Sequence, residues 1–186
     1  MKAWVVVVLG AALLVAGCGK KTEQEAENPR AAWASSPEKV VQGIMHAYQT
    51  RDDSLYASLL ADDFRYYFEP AGADSADVLG WGKEEEVVAT SNLFKTQDVV
   101  SLSYELQAGP AHPDPDHEGW MVVPVSGGEM DVVVRNKEPM KVTLNRQELI
   151  MRPLDDGKRW VIEEWHDYPA PDTGSGGGET PAEADH

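Results

Sequence analysis

The sequence holds one cysteine, Cys18, so no intrachain disulfide, paired-cysteine metal site or second thiol is available to it. Positive charge is scarce as well. Sixteen Lys and Arg stand against 32 Asp and Glu, a formal net charge of −16, and so acidic a surface repels nucleic-acid phosphates and anionic headgroups. No GxSxG, phosphate-loop or HExxH pattern occurs, which removes the common signatures of serine hydrolases, P-loop nucleotidases and zinc peptidases. Nor is there an apolar run of the roughly 20 residues that a membrane-spanning helix needs. At 186 residues, with 42% apolar and 26% charged residues, the composition is that of one ordinary globular domain with segments to spare.

What is present begins with an address. Lys2 precedes an apolar run from Trp4 to Ala16 that closes on Val15-Ala16-Gly17 directly before Cys18. This is the layout of a secretory signal, residues 1–17. Leu14-Val15-Ala16-Gly17-Cys18 resembles the bacterial lipobox, which implies a lipidated Cys18 at the mature amino terminus. Two or more acyl chains at about 0.8 kcal/mol per buried methylene anchor a protein without help from basic residues. The expectation is a lipid-anchored protein of the cell membrane or outer membrane facing the periplasm or exterior. Residues 18–36 mix charges with small residues and read as a flexible tether, and 170–186, rich in Gly and acids, read as a disordered tail. The folded domain is expected over 37–169.

Within that span Ser36-Pro37-Glu38 is a helix start: a hydroxyl cap, a proline that needs no amide hydrogen, and an acid at the positive end of the dipole. Val40, Val41, Ile44, Met45 and Tyr48 then recur at helical spacing to about Thr50. Asp53-Ser54 opens a shorter helix, Phe64 to Glu69 reads as a strand, and Lys83 to Lys95 as a third helix, with Trp81 and Gly82 in the preceding loop. Val100, Leu102, Tyr104 and Leu106 alternate with polar residues, as in a strand with one dry face. Ser126-Gly127-Gly128-Glu129 and Asp155-Asp156-Gly157 are read as hairpin turns in the strands that follow.

This order, with Val40-Val41-Gln42, the Leu59-Leu60-Ala61-Asp62-Asp63-Phe64 junction, Gly82 and Trp160-Val161-Ile162, resembles the nuclear transport factor 2-like superfamily, which includes ketosteroid isomerases, scytalone dehydratase and SnoaL-like cyclases. The resemblance implies an α+β cone, three N-terminal helices packed on a curved antiparallel sheet, with a pocket between them. In the isomerases an acid before a proline at the end of the first strand shuttles a proton. Glu69-Pro70-Ala71-Gly72 stands at that place, although Ile44 falls where those enzymes carry an oxyanion-stabilising tyrosine.

Pocket-lining candidates are Tyr48, Tyr66, Trp81, His46, Arg146, Glu148, Trp160 and Glu164, with Glu69 and His166 as candidate proton shuttles. The apolar phase switches between Asn145 and Glu148, which means either a bulge or inward-pointing Arg146 and Glu148. On the last strand Trp160, Glu164 and His166 share one parity, so an inward Trp160 brings the other two with it. His112, Asp114, Asp116 and His117 lack tight ligand spacing and alternate with prolines, so they read as an exposed loop and no metal site is expected. No cofactor is implied. The functional expectation is binding of a small molecule or envelope protein through the pocket or sheet face, without catalysis, and possible homodimers. The alternative is an isomerase or dehydratase acting on a small hydrophobic substrate.

Overall fold

The protein is described by a computed structural model that covers residues 30–68 and 79–168. Cys18, Glu69 and the 170–186 tail lie outside the described residues. Packed structure begins ahead of the Ser36 cap: Ala31–Ala34 form a 3-10 turn against the first helix, with Ala34 buried.

Three helices come early. α1 (Pro37–Thr50) starts as its sequence requires, with the Ser36 hydroxyl accepting from the Lys39 amide at 3.3 Å. Its Val40, Val41, Ile44 and Ala47 are buried on the sheet side. α2 (Asp53–Ser58) is capped one residue earlier than the sequence indicated, by Asp52 accepting from Leu55 N at 2.8 Å. α3 (Lys83–Lys95) opens with Glu85 reaching back to the Gly82 amide at 2.7 Å.

The eight strands form one sheet: β1 (Leu60–Phe68), β2 (Leu79–Gly82), β3 (Val99–Ala108), β4 (His112–Pro113), β5 (Met121–Val134), β6 (Met140–Leu144), β7 (Gln147–Leu154) and β8 (Arg159–Asp167). The order is β2-β1-β8-β7-β5-β3, with β4 and β6 also on β5. All pairs are antiparallel except β1 with β8. β1 starts earlier than Phe64 because Leu60 already pairs with Ile162, and Trp81 and Gly82 are strand residues paired with Tyr66 and Arg65.

The expected hairpin at Ser126-Gly127-Gly128-Glu129 is not one. β5 continues through it, because β3 pairs with it on both sides, Leu106 with Gly128 and, after a register shift, Ala108 with Val125. The glycines serve a bend instead. Gly127 has φ +147°, and a Cβ on Gly128 would stand 2.0 Å from the Glu105 carbonyl oxygen. Beside this bend the neighbouring strand breaks too. Gly128 pairs with Leu144 on β6 and Val125 with Gln147 on β7, leaving two residues on each side, Ser126-Gly127 and Asn145-Arg146, to change phase together. Below the bend Val123, Val125, Leu149 and Met151 face the core; above it Met130, Val132 and Leu144 do. The phase switch legible in the sequence is therefore a corner shared by two strands, and Arg146 and Glu148 remain on the outer face. On β3 a register shift between Val99 and Ser101 buries Val99 and leaves Val100 exposed, against the alternation expected there.

The bend generates a stability prediction. Gly128→Ala is expected to cost about 3 kcal/mol, the upper end of overpacking costs, because its contact is unyielding backbone. Gly109→Ala, whose Cβ would first meet a proline side chain at 3.2 Å, is expected to cost clearly less. Urea unfolding of both variants checks the order.

Candidate functional site

Between the helices and the upper, bent part of the sheet lies a cavity of about 300 Å³. Aromatic residues from five elements line it, Tyr48 from α1, Tyr66 from β1, Trp81 from β2, Tyr104 from β3 and Trp165 from β8, among aliphatic and polar neighbours. Tyr66 stacks on Trp81 with ring centroids 4.3 Å apart, and Tyr48 stacks on Tyr104 at 4.4 Å. Burial raises Tyr48 to about 12 and holds Tyr56 and Tyr104 well above the ordinary phenol range, so these rings keep their hydroxyl protons.

Two carboxyl groups enter this aromatic shell. Glu86, in the first turn of α3, is 9% exposed and accepts from Tyr56 Oη at 2.5 Å, Trp81 Nε1 at 2.6 Å and Thr90 Oγ1 at 3.2 Å. It ties three elements to one point. In sequence, an acid in the first turn of a helix needs no explanation beyond the dipole, so its place there does not single out Glu86 for this role. The available signal was the four-residue spacing of Glu86, Thr90 and Phe94, which are the buried residues of α3, whereas Val88 is exposed.

Asp167 closes β8. The Tyr66 hydroxyl donates to Oδ2 at 3.0 Å, and loss of solvent raises the carboxyl above the ordinary aspartate range while Tyr66 and Gln147 pull it partly back. Its Oδ1 is buried without a partner among the described residues, as are Gln147 Oε1 and Trp165 Nε1. All three residues line the cavity. Gln147 is the cross-strand partner of Asp167, and Trp165 sits two residues before it on the same face. A buried polar atom left unpaired costs about 1–3 kcal/mol, so three converging on one cavity mark a place that something polar completes.

Of the residues singled out from sequence, the structure brings Tyr48, Tyr66 and Trp81 together in this cavity. Glu164 and His166 go elsewhere. A bulge between Met151 and Ile150 leaves Glu163 as an extra residue on β8, so Ile162 and Trp165 both face inward and the parity linking Trp160 to His166 is broken. Trp160 packs against the core edge away from the cavity. Outside, His166 Nε2 contacts Glu164 Oε2 at 2.8 Å, Tyr67 stacks on His166 at 4.7 Å, and Arg146 lies over Tyr168 at 4.3 Å while meeting Glu148 at 3.1 Å. These form a ladder on the outer sheet face, so His166 cannot shuttle protons in the cavity. His46 lines a separate groove beside Trp33, stacked on it at 4.7 Å. His117 meets Asp114 at 3.1 Å, and His112 pairs with Val122 at the sheet edge.

No protein-family model and no curated protein matches the sequence. Solved structures do resemble the fold. A conserved protein from Planctomyces limnophilus superposes with a TM-score of 0.55 at 17% identity, covering 70% of this chain and 91% of that one. A nuclear transport factor 2-like superfamily protein from Salmonella enterica gives 0.52 at 15% identity, over 74% and 91% of the two chains. A protein described as a scytalone dehydratase from Novosphingobium aromaticivorans gives 0.52 at 12% identity, over 69% and 78%. At such identities the likeness is one of architecture, and it agrees with the helices and curved sheet described above: the chain has the nuclear transport factor 2-like α+β fold.

Proposed function

We propose that this is a lipid-anchored extracytoplasmic protein whose cone cavity binds a small molecule. The observation that carries the binding is the convergence of unpartnered Asp167 Oδ1, Gln147 Oε1 and Trp165 Nε1 on one aromatic-walled cavity. Its volume of about 300 Å³ stands at the lower end of ligand sites, and an apolar wall with a few aimed polar groups is their usual composition. The anchor rests on the sequence around Cys18, and no described helix is long and apolar enough to cross a membrane.

A second reading has one observation in its favour. A carboxyl raised by desolvation, hydrogen-bonded to a half-buried tyrosine and placed in the wall of a largely apolar cavity, is suited to proton transfer, as an isomerase or dehydratase requires. In that reading Asp167 carries the proton and Tyr66 positions it.

Three measurements check these readings. A thermal-shift screen of polar small molecules is expected to return stabilising hits that Trp165→Phe loses, since that change removes the indole donor and keeps most of the ring; hits indifferent to it place the ligand elsewhere. For Asp167, a carboxyl raised in the fold binds its proton more tightly there than in the unfolded chain. Its contribution is thus present at low pH and is lost as pH rises from the ordinary aspartate value through the raised one. The stability of wild type relative to Asp167→Asn should fall across that window, and a flat difference would remove Asp167 as a titrating group. Finally, Cys18→Ser is expected to release the protein from membranes or leave its signal uncut, as read by fractionation. A processed variant still in the membrane would mean a different anchor.

A further inference from the structure

Among the described residues the cavity is lined by two carboxyl groups and no base. None of Glu86, Asp167 or the other lining residues is Lys, Arg or His, and no ion pair among the described residues reaches either acid. Elsewhere on the protein acids are paired in the usual way: Glu163 with Arg152, Asp155 with Arg159, Glu129 with Lys141. Unpaired acids in a desolvated place are costly, and proteins ordinarily neutralise them with a cation or a proton.

From this, and resting on the cavity being a ligand site, we propose that its ligand is a small organic cation, an amine with N–H donors, that carries an oxygen acceptor close to the nitrogen. The unpartnered atoms set the pattern. Asp167 Oδ1 and Gln147 Oε1 are acceptors waiting for donors, one of them on an acid. They sit on directly paired residues, whose side chains stand about 5 Å apart on one sheet face, a span that one ammonium group bridges. Trp165 Nε1 is the complementary donor waiting for an acceptor, displaced along β8 by two residues, about 7 Å. The rings of Tyr66, Trp81 and Trp165 line the same space, and aromatic walls favour a cation over an anionic guest. An anion would meet two acids and no base.

The protein's net charge of −16 adds a field that draws cations toward it. Asp167 would respond to such a guest: loss of solvent raises its carboxyl, and an ammonium beside it favours the ionised form, so uptake of the cation moves that carboxyl back down.

The test uses the full-length protein and four probes of one shape: phenethylamine, 2-amino-1-phenylethanol, 2-phenylethanol and phenylacetate, each titrated calorimetrically. Expected are binding of both amines at least tenfold tighter than the neutral alcohol or the carboxylate, and a gain from the hydroxyl of the amino alcohol that Trp165→Phe erases. Asp167→Asn is expected to remove most of the preference for the amines. The comparison among probes is made on the unaltered protein, so it decides the matter even if Asp167→Asn fails to fold. If 2-phenylethanol or phenylacetate binds as tightly as phenethylamine and Trp165→Phe weakens it, the cavity is a ligand site for another class and the cation inference is wrong. If no probe binds, the cation inference falls by itself; if the broader screen also yields no ligand sensitive to Trp165→Phe, the ligand-site reading falls with it.

Discussion

The shape of the molecule depends on one constraint, the backbone of β5 passing against that of β3 with no room for a side chain at Gly128. A strand of 14 residues cannot stay flat against a curved core, and here the curvature is gathered where Ser126-Gly127 and Asn145-Arg146 change phase side by side. Pairing is retained across the corner while the inward-facing set moves from odd to even positions. Below it Val123, Val125, Leu149 and Met151 close a dry core; above it the sheet stands off from α1 and α3 and leaves the cavity. The cavity is in this sense a consequence of how the sheet bends.

The electrostatics of the cavity follow from that separation. Glu86 is held by three donors from three elements, so it works as a structural knot. Asp167 accepts from Tyr66 on Oδ2 and has Gln147 beside it, while its Oδ1 meets no donor among the described residues. The two acids therefore differ: Glu86 takes three hydrogen bonds within the fold, and Asp167 keeps one oxygen without any. The polar ladder of His166, Glu164, Glu148 and Arg146 on the other sheet face is complete in its own contacts and exposed to solvent screening, which makes it a poor rival as a site.

Much of the architecture was legible because local chemistry wrote it. Ser36-Pro37-Glu38 starts α1, the Asp155-Asp156-Gly157 turn joins β7 to β8, and Leu102, Tyr104 and Leu106 mark the dry face of β3. The bend was misread as a hairpin because Gly-Gly serves either geometry, and only the pairing of β3 across it decides between them. The same limit applied to the site. Tyr48, Tyr66 and Trp81 follow from aromatic positions on elements facing the core, but the one-residue bulge at Glu163 moved His166 and Glu164 outside and Trp165 and Asp167 inside. A bulge changes every side chain beyond it and leaves no mark in composition. Glu86 escaped notice because an acid in the first turn of a helix has a sufficient explanation in the dipole.

The central claim is that the cavity is open and that the Trp165 indole in its wall has no acceptor among the described residues. The most direct measurement is the hydrogen exchange of the tryptophan indoles by NMR in the ligand-free protein. Trp81, donating to Glu86 at 2.6 Å, is the internal reference for a claimed indole. The account predicts that the Trp165 indole exchanges much faster than that of Trp81, through water in the cavity, despite 3% exposure. Protection of Trp165 equal to that of Trp81 would mean that a protein acceptor holds it and that the space is filled by side chains, which contradicts the account.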